Sequence, residues 1–228
     1  MARVVKVEEH AVKRKEILDA AQRLVFTKGY EQMSIQDVAG ALQISKGAFY
    51  HYFGSKQALL DGLIDSMLTD AENMLAPIVA DPNLTAVEKL RRYFDTAVQW
   101  KTAQKELMLA LLRIWYTDQN AIVRQKQQAL AFKRVAPMLA TIIRQGVDEG
   151  TFTTRYPEQT AAVVVALIAS LGDTWANLLL ADRPAPDAAQ QLECGLAAYS
   201  EALERVLGAP AGSLPLMDAE ALKAWVPA

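Results

Sequence analysis

The sequence predicts an all-α fold, with an N-terminal three-helix helix-turn-helix domain followed by a larger C-terminal helical domain. Three observations predict it. Apolar residues recur at the 3.6-residue helical period along nearly the whole chain, with no sustained two-residue alternation and no sign of a β-hairpin turn. Two short helical segments near the N-terminus are joined by a connection too tight for an antiparallel pair. Charge is divided unevenly: residues 1–56 hold nine Lys/Arg and six Asp/Glu, whereas residues 57–228 hold fifteen and twenty. The front is basic and the remainder acidic, which suits a head that meets phosphates on a body that they repel.

The elements follow in order. A first helix is expected from about Val12 to Thr27, burying Ile17, Leu18, Ala21, Leu24 and Val25 and stopped at Gly29. Ser34, with Asp37 three residues on, opens a second helix that buries Ile35, Val38, Ala39 and Leu42. Gln43-Ile44 is a tight turn, and Ser45 caps a third helix expected from Lys46 to about Phe53. Gly54 and Ser55 separate it from a fourth, about Ser55 to Ala76, which should stop before Pro77. Thr85 and Glu88 form a capping box for a fifth helix to about Lys101. A sixth spans about Lys105 to Tyr116. A seventh spans about Asn120 to Glu149 and should be kinked or split by Pro137. An eighth opens at Pro157 and reaches about Ala181. Asp182 to Pro186 form a rigid loop, and a ninth helix runs from about Asp187 to Leu207. The Gly/Pro/Ala-rich tail holds one short amphipathic helix, Asp218 to Trp225. The expected domains are residues 1–56, 57–207 and a tail at 208–228.

Bulk properties narrow the function. Apolar residues make up 52% of the chain, enough for a sizeable core. The longest apolar stretch, Ala161 to Gly172, is broken by Ser170 and falls short of the roughly 20 residues of a membrane span. The N-terminus lacks an apolar signal core, and Cys194 is the sole cysteine, so no internal disulfide forms. A cytoplasmic protein with no membrane partner is expected, with Cys194 acting as a small buried hydrophobe. Two histidines and one cysteine make a catalytic or zinc constellation implausible, and no Gly-rich phosphate loop occurs. No enzyme activity, metal or cofactor is expected.

Residues 34–53 carry the function. With Ile35, Val38, Ala39, Leu42, Ile44, Phe49 and Phe53 directed inward, the outer face of the third helix is left with Ser45, Lys46, Gly47, Ala48, Tyr50, His51 and Tyr52, none of them acidic. About eight helical residues span roughly 12 Å, close to the width of the DNA major groove. Gly47 and Ala48 allow close approach, and Ala48 suits a thymine methyl. Lys46 reaches guanine or phosphate, and Ser34, Tyr50, His51 and Lys56 can donate to phosphates. The ordinary readings are a half-buried aromatic for Tyr50 and Tyr52 and solvated surface residues for His51, Lys46 and Lys56.

Residues 15–61 closely resemble the DNA-binding domain of the TetR (tetracycline-repressor) family. The resemblance lies in the opening Ile17-Leu18-x-Ala20-Ala21, the step from Gly29-Tyr30 through Ser34 to Ala39, and the run Ser45-Lys46-Gly47-x-Phe49-Tyr50-x-Tyr52-Phe53-x-Ser55-Lys56-x-x-Leu59. It implies that Ser34, Lys46, Gly47, Tyr50, His51 and Lys56 contact an operator. It also implies a repressor that binds a palindrome as a dimer and is released by a small ligand. Ala48 departs from the Thr or Ser common there.

One short recognition helix offers few contacts, so two heads about 34 Å apart, and hence a homodimer, are expected. The eighth helix (Val163, Val164, Val165, Leu167, Ile168, Leu171, Leu178 to Leu180) and the ninth (Leu192, Leu196, Tyr199, Leu203, Val206) are the expected interface, with an intramolecular core as the alternative. The expected effector site draws on Met108, Leu112, Trp115, Tyr116, Phe132, Met138, Asp173, Trp175 and Asn177, together with Thr174, and suits an apolar or aromatic molecule. The same aromatics could instead be plain core, and Asp173 could cross the dimer interface. A helical interaction protein without DNA binding, a ligand-independent regulator and an activator remain the alternatives.

Overall fold

The structure is a computed structural model that describes residues 2–117, 120–181 and 186–225. Among them every regular element is a helix: α1 (Ala2–Lys28), α2 (Ile35–Ala41), α3 (Lys46–Tyr50), α4 (Lys56–Ala80), α5 (Ala86–Ala103), α6 (Lys105–Trp115), α7 (Ala121–Asp148), α8 (Pro157–Leu179), α9 (Ala188–Leu207) and α10 (Ala219–Trp225). The chain forms two compact units. One holds residues up to Asp70 plus Glu106–Ile114; the other holds Ala71–Lys105 and Trp115 onward.

In the first unit α1 packs on α2, and α2 on α3. Ile17, Leu18, Ala21 and Val25 of α1 meet Met33, Val38, Phe49, Phe53, Leu59 and Leu63, and Leu107 and Leu111 of α6 join the same core. Each short helix is fixed at its start by a side chain. Ser34 and Asp37 form a reciprocal capping box on α2, and the Ser45 hydroxyl accepts from the Ala48 N–H on α3. The Ser55 hydroxyl accepts likewise from the Ala58 N–H at the start of α4. Between α2 and α3 the chain reverses through Gln43, at φ 54°, the left-handed region that a side chain enters at some cost. The Ile44 N–H bonds to the Ala39 carbonyl across that turn at 3.0 Å.

In the second unit α8 packs against α7 and α9, α5 against α7, and α10 against α5. Leu90, Leu139, Ile142, Ile143, Phe152, Ala161, Val164, Leu192, Leu203 and Leu207 form the centre of its core. The tail is folded rather than loose: Leu214, Leu216, Leu222 and Trp225 are buried in this unit. Buried Glu204 accepts from the Gly212 and Leu214 N–H groups at 2.9 and 2.8 Å. The Trp225 indole donates to Thr102 Oγ1 at 2.9 Å. Gly208 ends α9 at φ 66°, beside Thr153, where a Cβ would lie 1.9 Å from Oγ1.

Three expectations are corrected and a fourth is narrowed. α1 begins at Ala2, ten residues before Val12, because residues 2–11 hold no helix breaker although the buried stripe starts only at Ile17. α3 ends at Tyr50 rather than Phe53; the His51 N–H already turns to the Ala48 carbonyl, and Phe53 is directed into the core from outside the helix. α4 runs through Pro77 to Ala80, and of the kink or split expected at Pro137 the split does not occur, since α7 is one helix across it. Proline forfeits one hydrogen bond in each, yet burial on both sides outweighs it: Leu75, Ile78 and Val79 flank Pro77, and Val135, Met138 and Leu139 flank Pro137, all packed in or on the core. Of the loop expected at 182–186, residues 182–185 lie outside the described residues.

α8 differs from the sequence reading in another way. The helix, 23 residues, is longer than its uninterrupted apolar stretch, and an 18-residue window of it has a mean hydropathy of 1.6, long and apolar enough to cross a membrane by length and composition. Only 22% of that window is buried within the chain.

Candidate nucleic-acid interface

The first unit presents α3 with its inner side anchored by Phe49, which is fully buried, and its outer side open. Ser45, Lys46, Gly47, Tyr50 and His51 are exposed and Ala48 is half-buried. Tyr50 retains 45% exposure although its ring leans edge-on against Phe49 at 5.8 Å, which leaves the phenol in solvent. Tyr52 packs against the core and stacks on the His10 ring at 4.6 Å between centroids. The exposed side of α3 thus offers the Ser45 and Tyr50 hydroxyls, the Lys46 ammonium and the His51 imidazole. Ordered side chains hold the α2 and α3 N-termini, so the partial positive charge there has a fixed direction.

Two of the anticipated donors are engaged within the chain. The Ser34 hydroxyl donates to Asp37 at 2.8 Å, and a bond to phosphate would replace that one. Lys56 Nζ donates to the Glu31 carbonyl at 3.1 Å and sits 4.3 Å from the Tyr30 ring centroid. An ammonium carries three donors, so Lys56 has capacity for a further acceptor. Burial, with Glu31 and Asp61 nearby, pushes the Tyr30 phenol up to about 12, so it stays a neutral donor to the Lys56 carbonyl. Lys28 was not anticipated. It pairs with Asp37 at 2.8 Å, and its ammonium, together with the Ser34 N–H and hydroxyl, holds that carboxyl well below the usual carboxylate range. The pairing joins positions nine residues apart across a turn, which no helical spacing reveals.

The candidate effector residues do not fall in one packed group. Met108 packs on the core of the first unit, whereas Phe132, Met138 and Trp175 pack on that of the second. Leu112 and Trp115 are half-buried. Tyr116 donates to Asp173, and Arg124, which was not anticipated, lies 4.9 Å over the Tyr116 ring and donates to the Trp115 carbonyl at 2.8 Å. Burial and the bond to Asp173 raise the Tyr116 phenol, which stays protonated. The buried Trp175 Nε1 has no hydrogen-bond partner among the described residues. Thr174 and Asn177 are exposed rather than buried, because they lie on the outward side of α8. Cys194 is exposed as well, not a buried hydrophobe. The expected interface also needs correction at residue level: Val164, Val165, Leu192, Leu196 and Leu203 are buried in the subunit's own core.

A family model of bacterial regulatory proteins of the TetR type matches residues 17–63, and a tetracyclin repressor-like C-terminal domain matches residues 94–180. The chain belongs to the TetR family. It is a DNA-binding transcriptional regulator, and its helix-turn-helix is the α2–α3 pair just described. Similar proteins include the transcriptional regulator EthR of Mycolicibacterium smegmatis, 26% identical over 187 residues that cover 74% of this chain and 86% of that one. The regulator TtgR of Pseudomonas putida is 23% identical, covering 77% and 84%. Among solved structures, a TetR-family regulator from Pectobacterium atrosepticum superposes with a TM-score of 0.66 at 19% identity, covering 89% of this chain and 98% of that one. Together with the absence of any strand among the described residues, that likeness establishes the fold.

Proposed function

We propose that this TetR-family chain is a cytoplasmic repressor that binds a palindromic operator as a homodimer and is released by a small apolar or aromatic effector. In this reading residues 1–56 read DNA, residues 57–207 hold the effector and the dimer contact, and no enzymatic step is involved. The observation that carries it is the outer face of α3, where Ser45, Lys46, Gly47, Tyr50 and His51 are exposed together with no acidic neighbour on the helix. Lys46 and Ala48 would meet base edges, while Ser34, Tyr50, His51 and Lys56 would hold phosphates.

The homodimer would form through α8 and α9. Val163 is 46% exposed, Ala166 is exposed three residues on along α8, and Ala197 and Ala198 are exposed on α9. The exposed apolar positions of α8 and α9 are what an interface would cover. Val163→Glu is expected to shift sedimentation toward the monomer; an unchanged dimer would place the interface elsewhere.

For the effector, the supporting observations are the Tyr116–Asp173 bond, with Arg124 on the tyrosine ring, and the Trp175 indole, which has no partner among the described residues. A buried N–H without an acceptor is costly, so an effector with a carbonyl or ether oxygen on an aromatic body would gain there. The decisive experiment selects from random duplexes at two salt concentrations. A palindrome bound with steep salt dependence supports the reading, and its release by aromatic compounds supports the effector. No enrichment from folded, dimeric protein would favour a helical interaction protein instead.

A further inference from the structure

Residues 34–53, the helix-turn-helix, hold a single carboxylate, Asp37. It stands beside a group that the operator reading assigns to phosphate. Asp37 Oδ2 accepts from the Ser34 N–H and from the Ser34 hydroxyl, each at 2.8 Å. A phosphate oxygen bonded to the same hydroxyl at about 2.7 Å would lie within roughly 5.5 Å of Oδ2. Two like charges at that separation repel even in water. Asp37 also stays ionised, because Lys28 and Ser34 hold its carboxyl well below the usual carboxylate range. An acid in this place works against the surface that carries it.

The fold sets a cation against that charge. Lys28, the last residue of α1, donates from its ammonium to the other oxygen, Asp37 Oδ1, at 2.8 Å. The helix start does not need it. The Ser34 hydroxyl accepts from the Asp37 N–H and the Asp37 carboxylate accepts from the Ser34 N–H, so the capping box on α2 is complete without a lysine. As a bond between two segments the pair is worth little, since the lysine side chain is 46% exposed and the aspartate 29%. What Lys28 adds is its charge. When the Ser34 hydroxyl turns to a phosphate, Asp37 loses one of three donors and keeps the Ser34 N–H and the ammonium.

We infer that Lys28 is a positioning residue for operator binding: its ammonium neutralises Asp37, so that the carboxylate caps α2 without repelling the phosphate that Ser34 holds. The inference rests on the operator reading above, and it gives Lys28 no DNA contact of its own. It also accounts for an acidic residue in a motif whose other charged groups are basic.

The test measures the affinity of the full-length protein for the selected palindrome as a function of salt, in variants first checked for the parent's unfolding transition. K28Q should bind about fivefold more weakly per half-site, the effect of one uncompensated charge at that separation. K28Q/D37N should regain most of that loss, because both charges are gone. D37N alone should bind more tightly than the parent, most clearly at low salt, and K28R, which keeps the charge, should retain most of the affinity. A pair that only braces the scaffold gives the opposite pattern. The double variant would then bind no better than K28Q, and that result would overturn the inference. So would a salt slope that is flatter by about 0.9 per half-site in K28Q and stays flat in the double variant, which would make Lys28 a phosphate contact itself. K28Q that binds the palindrome as tightly as the parent would also overturn it and leave the operator reading intact. Failure of the parent to select any duplex would overturn both.

Discussion

The two compact units pack their apolar side chains alike and differ in where they keep polar ones. In the head, which holds α1 to α3, polar groups stay at the surface and work locally: Ser34, Asp37 and Lys28 secure one helix start, Ser45 another, and the outer face of α3 is left open. In the body, polar groups are drawn inside. Lys89 is buried with its ammonium on the Val79 carbonyl, Glu204 is buried on the tail, Thr160 is buried against Thr154, and Trp175 holds an indole without an acceptor among the described residues. The difference fits two tasks. A surface that reads a rigid polyanion needs a stiff scaffold with exposed donors, whereas a unit that responds to a small molecule needs polar groups within its interior.

The largest effect should come from the scaffold of the head. Phe49 is 0% exposed and ties α3 to α1, so Phe49→Ala should cost roughly 3–5 kcal/mol in urea unfolding and abolish operator binding. A loss under about 1 kcal/mol, with DNA binding retained, would show that α3 does not depend on that packing.

Glu204 tests the body. Glu204→Ala would leave the Gly212 and Leu214 N–H groups without their acceptor, at about 1–3 kcal/mol. The tail should then become sensitive to protease while the head stays resistant. Equal sensitivity in the parent and the variant would mean that the carboxylate does not hold the tail.

Smaller again is the α2 cap, where Ser34→Ala should cost about 1 kcal/mol. Its partner Asp37 adds an acid-sensitive contribution. The carboxyl is held below its ordinary 3.8 by Lys28 and Ser34, so the folded form has the lower value. The cap therefore stabilises the head fully above about pH 3.8 and loses that contribution as pH falls below it. Stability measured from pH 5 down to pH 2 should fall more steeply in the parent than in Asp37→Asn; parallel curves would remove Asp37 as the cause.

The same contrast explains what could be read from the sequence. The head was legible because its determinants are local: a capping residue and its partner three positions on, a tight turn, and a basic outer face. The exposed positions of Lys46, Gly47, Tyr50 and His51 agree with that reading. The extent of α1 was not legible, because the apolar stripe marks where a helix is buried and says nothing of where it starts. In the body, helix existence followed from periodicity, but Pro77 misled, since a local penalty gives way to burial contributed by distant segments. Asn177 and Thr174 were placed inside by hydropathy alone, although whether they point outward depends on which side of α8 meets α7 and α9. Arg124 against Tyr116 and Glu204 on the Gly212 and Leu214 N–H groups join positions eight or ten residues apart across a turn, and the ties of Lys105 to Ala224 and Trp225 to Thr102 span 119 and 123 residues, so no helical spacing reveals them.

The smallest effect on stability should belong to Lys46, the residue proposed above to meet base edges. Lys46 is exposed at the first turn of α3 and forms none of the salt bridges or side-chain hydrogen bonds seen among the described residues of the head. Lys46→Ala should shift unfolding by less than about 0.5 kcal/mol, since alanine is a good helix former and Lys46 is exposed. Operator affinity should nevertheless fall by about 1–3 kcal/mol per half-site if the ammonium reads a guanine, with the preference relaxed at one base pair. If it holds only phosphate, affinity should fall equally on every duplex and the salt slope should drop by about 0.9 per phosphate. Selection with the variant separates the two cases: a palindrome that loses one position identifies a base contact, whereas an unchanged palindrome at lower affinity assigns Lys46 to the phosphates alongside Tyr50 and His51.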